Sequence, residues 1–438
     1  MQTEFKVNWF RLLIHSSPCA HWRVTGGRRT AWLAVAIYLV SLTVVTLSVE
    51  YGRRFIPNFL SPVGSEHNGI LSRTTVWDGE WYRRIATEGY SYHQSTYSSV
   101  AFFPAYPVLA MGAMWLLGAS PEAALLAVSH TFLLGSLIGL AIYLRVRVEG
   151  PQLTRVILFT LLSLAFFPTT FYFRMAYTES MLLFLMILAM YGMRRGWSGI
   201  VIALIIGLAT ATRPVGIALL APFTLHLWQT SVLALDGAHG DTTRRRIRRF
   251  VLSAMSLLPV ACWGLLAFIF FQIWAFGEPL AFAKAQVAWG MREMPQSPVA
   301  KGLDLITLRP VFALYTPTSP CYWAKTSPGD DLLVNLAFAN PIFFFGTAAL
   351  VVIGAWKRWL DSPEWMLSAS LLLIPYVMQA RMCMASHARF ASVVFPAYMV
   401  LGRLLARLPV AIAVYLLCCS ALLMGAYTAF FTSWYPLY

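Results

Sequence analysis

The chain has 438 residues, of which 58% are hydrophobic and only 12% are charged. Soluble domains carry about 25% charged residues, so this composition excludes an ordinary soluble globular protein. The net charge of +15 would suggest nucleic-acid binding in a soluble protein. Here the basic residues flank apolar segments, a pattern typical of membrane orientation, and we expect no nucleic-acid partner.

Eleven apolar segments approach the length that a helix needs to cross a bilayer. They are residues 31–49, 122–146, 153–173, 177–193, 197–212, 214–232, 250–275, 331–355, 364–380, 388–405 and 409–431. Backbone polar groups in hydrocarbon must be satisfied internally, so these repeated segments predict an all-α polytopic bundle. The first 30 residues are polar and basic, without a clear cleavage site. The first apolar segment is therefore interpreted as a retained span.

One further apolar segment, residues 102–118, decides the topology. If it crosses the membrane, the short loops after residue 119 place 14 lysines and arginines outside and 4 inside, which inverts the usual bias. If it lies on the outer surface, 14 are inside and 4 outside. The inside set is Arg145, Arg147, Arg155, Arg194, Arg195, Arg244, Arg245, Arg246, Arg248, Arg249, Lys357, Arg358, Arg403 and Arg407. We therefore expect an interfacial helix, with Pro104 and Pro107 near its start.

Two long loops, 50–121 and 276–330, then lie on the extracytoplasmic side, as does the C-terminus. Both loops are rich in Trp, Tyr and Pro, and ordered loops of this length are usually functional. No internal repeat and no separate soluble domain is evident. We expect a single membrane domain over residues 1–438.

The four arginines of the outer set are Arg174, Arg213, Arg381 and Arg389. A charge near hydrocarbon costs about 2.5–3.5 kcal/mol on insertion scales. One interpretation is that each side chain snorkels to the surface. Their proximity to carboxylates on the same side favours anion binding instead, because a guanidinium donates bidentately to phosphate.

Asp78 lies within the stretch Trp77-Asp78-Gly79-Glu80-Trp81-Tyr82, which opens an amphipathic segment running to Tyr90. Its aromatic residues and Ile85 can face the membrane while the charged residues face water, as in a helix lying on the bilayer. Asp78 could act as a general base toward an acceptor hydroxyl. It could equally cap the helix. Metal binding with Glu80 is weakly supported, because the two side chains diverge on a helix.

Several other polar residues lie at predicted outer edges. Glu179 follows Tyr177 and would pair with Arg174 or cap its own helix. Arg213 precedes Pro214, which suits the first turn of a new helix, and so the arginine would project into any cavity there.

In the second long loop, Gln286 and Trp289 are residue types that often hold sugars, although Trp is also common at membrane interfaces. His387 lies near Arg381 and by itself would more often be structural. Cys321 and Cys383 would both lie outside, where a disulfide is possible. The chain lacks GxxxxGK[ST], HExxH and a convincing GxSxG, which leaves nucleotide hydrolysis, zinc proteolysis and serine hydrolysis without support.

Six stretches of the sequence, taken in chain order, resemble motifs of the phosphatidylinositol-glycan class V (PIG-V) mannosyltransferases. The matching stretches are WDGEWYRRIATEGY (77–90), AFFPAYP (101–107), AYTES (176–180), LATATRPVG (208–216), PLAFAKAQVAWG (279–290) and MASHARFASVVFPAY (384–398). Trp81 stands where the family pattern has His. The resemblance implies a GT-C fold that uses a polyprenyl- or dolichyl-phosphate mannose donor and transfers mannose with inversion to a glycolipid. It implies that Asp78 is the base.

The resemblance and the loop charges together give the expected site. Asp78 would be catalytic, and Arg213, Arg389, Arg174 and Arg381 would bind the donor phosphate. Substrate contacts are expected from Trp77, Trp81, Tyr82, Tyr106, Tyr177, Glu179, Gln286, Trp289 and His387. A metal is not required, although a divalent ion remains possible.

Two alternatives stay open from the sequence. One is a non-catalytic lipid or glycolipid transporter, although paired broken helices in two similar halves are not evident. The other is the same chemistry on a protein or polysaccharide acceptor. The excess of Arg over Lys suggests a prokaryotic relative acting at the inner membrane, whereas a eukaryotic one would lie in the endoplasmic reticulum.

Overall fold

A computed structural model describes residues 27–59, 69–93, 96–233, 242–286, 288, 297–326, 335–378 and 384–437. Within these ranges every regular element is a helix, and no strand is found. The predicted all-α class is therefore confirmed.

The described residues up to position 233 include nine α-helices. They are α1 (Gly27–Phe55), α2 (Ile70–Arg73), α3 (Asp78–Glu88), α4 (Ala105–Leu117), α5 (Pro121–Arg147), α6 (Leu153–Phe166), α7 (Glu179–Arg195), α8 (Gly199–Thr212) and α9 (Leu220–Leu233). Three 3-10 helices interrupt them, at Ser99–Ala101, Pro168–Arg174 and Pro214–Leu219.

The second half continues with helices of very different length. They are α10 (Thr242–Ala261), α11 (Trp263–Phe276), α12 (Ala281–Ala285), α13 (Pro298–Ile306), α14 (Arg309–Tyr315), α15 (Trp323–Thr326), α16 (Leu336–Trp356), α17 (Ser362–Met378), α18 (His387–Ser392), α19 (Phe395–Leu405) and α20 (Val410–Phe431).

Four of the described helices are long and apolar enough to cross a membrane: Arg28–Phe55, Pro121–Arg147, Leu336–Trp356 and Val410–Phe431. Two bent pairs pass the same test together, which raises the number to as many as 6. The chain is thus an integral membrane protein. The count of about eleven spans and the interfacial placement of 102–118 remain predictions.

Proline explains where the predicted spans are broken. The segment predicted over 153–173 bends by 76° between Leu153–Phe166 and Pro168–Arg174, because proline cannot donate the helical hydrogen bond. The segment predicted over 214–232 likewise opens with a 3-10 helix at Pro214–Leu219. Hydropathy alone does not reveal such breaks.

The core positions the candidate site through a few close helix pairs. Helix α5 packs along α7, α6 along α19, and the first and last long helices, α1 and α20, lie side by side. Helix α3 packs across α4 and α5, and α18 packs against α16, α17 and the 3-10 helix at Pro168–Arg174. As a result, the N-terminal ends of α3, α7 and α18 converge at one end of the bundle.

Helix α3 differs from its predicted orientation. Tyr82 and Ile85 are only 4% and 3% exposed, because they pack against the protein rather than against lipid. An amphipathic pattern requires only that one face be covered, and here the neighbouring helices cover it. By contrast, Trp115 and Leu116 near the end of α4 are exposed. That apolar surface is the kind expected of a helix that contacts membrane.

Candidate active site

Asp78 is the first residue of α3, and its backbone is fastened to the segment that precedes α7. Its N–H donates to the Tyr177 hydroxyl at 3.1 Å. The N–H of Ala176 donates to the Thr74 carbonyl at 2.9 Å. A Cβ added at Gly79 would lie 3.3 Å from the Ala176 side chain, so glycine permits this close approach. The start of α3 is therefore held against the start of α7.

The Asp78 carboxylate does not act as a helix cap in this structure. Its Oδ2 accepts a 2.6 Å hydrogen bond from Nη1 of Arg389, 311 residues later in the chain. The residue at the N-cap position is Trp77, which makes no side-chain capping bond. The ion pair with Arg389 therefore orients the carboxylate, and 29% of the Asp78 side chain remains exposed.

Glu179 links two arginines at the centre of the site. Its Oε1 accepts hydrogen bonds from Nε of Arg389 and from Nη1 of Arg213. The Glu179 side chain is 1% exposed, against 9% for Arg389 and 17% for Arg213. Asp78, Arg389, Glu179 and Arg213 thus form one chain of alternating charge, named here the charge network. Its two carboxylates balance its two guanidinium groups, as burial of charge requires.

Aromatic rings support both guanidinium groups of the charge network. The Arg389 guanidinium lies 4.4 Å from the Tyr177 ring centroid and 5.3 Å from that of Tyr172. Arg213 lies 5.7 Å from the ring of Phe390. Such contacts favour a cation where water is excluded.

Tyr82 borders the charge network from α3. Burial raises the pKa of its hydroxyl above the usual value, and the nearby Arg213 only partly opposes this effect. The phenol therefore stays protonated at neutral pH and adds no charge to the site.

Backbone strain is concentrated around the site. Five non-glycine residues among those described have positive φ, and three of them lie here: Trp77, Ser386 and Trp434. Trp77 (φ 58°) directly precedes Asp78, and Ser386 (φ 61°) directly precedes the helix that carries Arg389. Such conformations cost about 1–3 kcal/mol each and cluster where function requires a fixed geometry.

Arg174 does not join the charge network, and its expected pairing with Glu179 is wrong. Its guanidinium, 1% exposed, donates to the Ser41 hydroxyl at 2.5 Å and to the carbonyl groups of Ala165 and Thr170. The 3-10 helix that ends at Arg174 turns this side chain into the bundle interior. It therefore lies away from Glu179 despite the short sequence separation.

Three predicted contact residues lie beside the network rather than in it. Trp81 stacks on Phe102, with ring centroids 5.9 Å apart. The Tyr106 hydroxyl is buried and donates to the Leu125 carbonyl at 2.9 Å. His387 packs its ring against Phe344.

Buried hydrogen bonds connect Tyr106 to the site indirectly. The Tyr106 and Ser129 hydroxyl groups lie 2.8 Å apart, and Ser129 donates to the Tyr177 carbonyl at 3.0 Å. His387 instead contacts the Ala385 carbonyl through Nδ1 at 3.2 Å. Both residues therefore brace the walls of the site.

Gln286 directly follows the short helix α12. This helix packs against the 3-10 helix Ser99–Ala101 of the first long loop. The two long loops are therefore in contact. Trp289, Arg381 and Cys383 lie outside the described residues. Cys321 is disulfide-bonded. Within the described ranges, no group of three or more His, Cys, Asp or Glu side chains could hold a metal ion.

Sequence reasoning missed the C-terminal segment. The Trp434 ring lies 5.2 Å from that of Trp77, and Nη1 of Arg73 contacts the Ser433 hydroxyl at 3.4 Å. The Tyr172 hydroxyl donates to the Leu437 carbonyl. The segment therefore braces the residue before Asp78 and a ring beneath Arg389. No local pattern in the sequence signals such a contact.

Comparisons with known proteins identify the family of the chain. The family model described as Mannosyltransferase (PIG-V) matches residues 55–410. No curated protein matches the chain.

Among solved structures, the apo oligosaccharyltransferase of Archaeoglobus fulgidus is 16% identical, with a TM-score of 0.44. The match covers 91% of this chain and 56% of that one, so this chain spans about half the length of that protein. A complex of the same archaeal enzyme with an inhibitory peptide and a dolichol-phosphate gives 15% identity and a TM-score of 0.42, over 91% and 56% of the two chains. ArnT from Cupriavidus metallidurans gives 16% identity and a TM-score of 0.30, over 86% and 79%.

Proposed function

Because this chain belongs to the mannosyltransferase (PIG-V) family, we propose that it is a GT-C glycosyltransferase that transfers mannose from a polyprenyl- or dolichyl-phosphate-linked donor. The acceptor is a lipid-linked or glycolipid sugar at the extracytoplasmic membrane face. One observation carries the proposal: the Asp78 carboxylate contacts Arg389 directly and reaches Arg213 through Glu179. The proposed base and the two proposed phosphate-binding groups are thus joined in one network.

Exposure decides which carboxylate serves as the base. Asp78 is 29% exposed, whereas Glu179 is 1% exposed and already accepts two guanidinium hydrogen bonds. An acceptor hydroxyl can therefore approach Asp78 but not Glu179. A general base must lie within hydrogen-bond reach of the proton it removes.

The reaction then needs one proton transfer and one displacement. Asp78 removes the proton of the acceptor hydroxyl, and the hydroxyl oxygen forms a bond to C1 of the mannose. The bond between C1 and the phosphate oxygen breaks from the opposite face, which inverts the anomeric configuration. The lipid phosphate leaves as a stable anion, so no acid is needed to protonate it.

Arg213 and Arg389 are the groups proposed to hold that phosphate. Each guanidinium has more N–H donors than its contacts within the charge network use. Glu179 holds both arginines in place through one carboxylate oxygen, which keeps the two guanidinium groups close together. Fixed cations that face developing negative charge lower the barrier without reorganisation. A divalent metal is not required by this chemistry, and activity in excess EDTA tests that expectation.

Sidedness rests on the loop charges. The proposed topology has about eleven spans in a single domain, with residues 102–118 at the membrane interface. In this topology the charge network lies at the membrane face whose loops carry few lysines and arginines, which is the extracytoplasmic face. Long loops 50–121 and 276–330 would cover it. The membrane would be the plasma membrane of a prokaryote or the endoplasmic reticulum of a eukaryote.

The test is incubation of the purified protein with radiolabelled polyprenyl-phosphate mannose and a membrane extract. We expect label to move into a new lipid-extractable product. Label in protein or polysaccharide would reassign the acceptor. Donor moved across vesicles without any sugar product would favour a transporter and overturn the proposal.

A further inference from the structure

A cavity lies at the opposite end of the helix bundle from the charge network. It has a volume of about 590 Å³ and is bounded by α7, α9 and the turn between α16 and α17. Ligand sites commonly enclose about 300–1,000 Å³. Glu179 begins α7 and Arg194, in the cavity wall, lies near its end. At 1.5 Å per residue the two are about 22 Å apart, so the cavity is a separate site.

An ion-pair network already neutralises both acidic residues of the cavity wall. Arg147 donates to Asp361 at 2.7 Å and to Glu364 at 2.9 Å. Arg194 donates to the other oxygen of Asp361 at 2.7 Å. The Tyr143 hydroxyl donates to Glu364 at 2.7 Å. This network joins the ends of α5 and α7 to the start of α17. Both carboxylates are therefore already paired within the protein.

Other polar groups in the wall take no part in that network. The side chains of Arg358, His226 and Gln229 line the cavity and make no hydrogen bond or ion pair within the described part of the chain. Arg358 also has a positive φ of 56°, a strained conformation for a side chain of its size. With the acids neutralised, Arg358 leaves the cavity with an excess positive charge. A guanidinium next to neutral donors suits a phosphate group.

Apart from Ser362, the remaining wall is apolar. Met190, Met193 and Trp365 line the same cavity. It also lies at the end of the bundle that carries most loop arginines, such as Arg195 and Arg403. Basic pockets between helices on that side of a membrane bind anionic lipid headgroups.

We propose that this cavity binds a phosphate-bearing ligand, either the headgroup of an anionic phospholipid or a free phosphate compound. Arg358 supplies the charge, and His226 and Gln229 supply hydrogen bonds. For a phospholipid, the methionines and Trp365 contact the start of the acyl chain. The site is independent of the sugar-transfer site proposed above.

Binding of phosphatidylglycerol to the full-length purified protein tests this assignment. Native mass spectrometry in detergent would compare phosphatidylglycerol with phosphatidylcholine, with and without inorganic phosphate as competitor. The variants are Arg358→Gln and His226→Gln. Lys357→Gln is the matched control, since its ammonium lies 4.6 Å from the exposed Trp356 ring and outside the cavity wall.

We expect Arg358→Gln to weaken phosphatidylglycerol binding roughly fivefold, the effect of one basic residue near a membrane surface. Lys357→Gln should change this binding little.

Phosphatidylglycerol that stays bound in the presence of inorganic phosphate assigns a lipid headgroup as the ligand. Displacement of phosphatidylglycerol by inorganic phosphate assigns a free phosphate compound. Equal binding of the two lipids, without any inorganic phosphate binding, would overturn the proposal. So would equal losses in Arg358→Gln and Lys357→Gln. No sugar donor is present, so the outcome does not depend on transferase activity.

Discussion

Replacing Glu179 with Gln tests whether the charge network is held together as the structure describes. The substitution keeps the shape of the side chain and removes one negative charge from between Arg213 and Arg389. Breaking a buried ion pair costs about 3–5 kcal/mol. Arg389 keeps Asp78 as a partner, and Arg213 is 17% exposed. We therefore expect the low end of that range, about 3 kcal/mol.

Glu80→Gln is the matched control. Oε1 of Glu80 also pairs with two arginines, Arg83 at 2.7 Å and Arg84 at 3.2 Å. Burial raises the pKa of Glu80, but the hydrogen bonds and charges of the two arginines outweigh it and hold the pKa below its usual value. The substitution therefore also removes a charge. Because Arg84 is 49% exposed, these pairs should contribute only about 0–1 kcal/mol.

Unfolding in mixed micelles with a rising fraction of SDS, followed by tryptophan fluorescence, gives the free energy of unfolding of each variant. Glu179→Gln should lose about 2 kcal/mol more than Glu80→Gln. Adding Arg213→Gln should restore part of the loss, with a coupling energy of about 1–3 kcal/mol. Equal losses in the two single variants, or no coupling, would show that Glu179 does not join the arginines.

Three further substitutions probe the surroundings of Asp78. Arg389→Lys keeps the charge but cannot donate in a fork to two carboxylates, so kcat should fall at least about tenfold; near-normal kcat would contradict the bridging role. Tyr177→Phe removes the acceptor of the Asp78 N–H and should lower the free energy of unfolding by about 1–3 kcal/mol, an effect whose absence would show that another group accepts that hydrogen. Trp434→Leu removes the ring that packs against Trp77. It should lower the free energy of unfolding by about 0.5–1.5 kcal/mol and reduce the rate of sugar transfer several-fold. An unchanged rate of transfer would assign the C-terminal segment a purely structural role.

All four members of the charge network are predicted from the sequence, but their connections are not. Asp78 was identified from its motif, and Arg213 and Arg389 from loop charges that oppose the usual bias. The pairing of Arg389 with Asp78 spans 311 residues. It depends on helix packing that no local pattern encodes. The sequence predicts that Glu179 pairs with Arg174 or caps its own helix, yet it pairs with Arg213, which follows α8, and with Arg389 of α18.

Arg174 shows why loop charges are an incomplete guide. The bias predicts which end of the bundle holds a residue, but the direction of the side chain depends on the local backbone. A 3-10 helix turns Arg174 toward Ser41 in the core. In the same way, the amphipathic pattern around Tyr82 requires a covering surface without saying whether protein or lipid provides it.

Hydropathy predicts where the apolar segments lie, but it does not predict whether each one is a single continuous helix. The helix at Pro121–Arg147 covers its predicted span of 122–146 closely. The segment over 388–405 is divided into a short helix, His387–Ser392, and a second helix that begins at Phe395. That break allows Arg389 to face Glu179, so the feature that hydropathy misses is the one the site uses.

The central claim is that Asp78 is the base of a transferase site whose arginines hold the donor phosphate. Its most direct test is the rate of sugar transfer from labelled polyprenyl-phosphate mannose by Asp78→Asn, in protein shown to be folded by its unfolding profile. A positioned general base contributes about 10²–10⁴-fold, so transfer should fall by at least about 100-fold while Glu80→Gln stays near wild type. Transfer by folded Asp78→Asn at the wild-type rate would contradict the account.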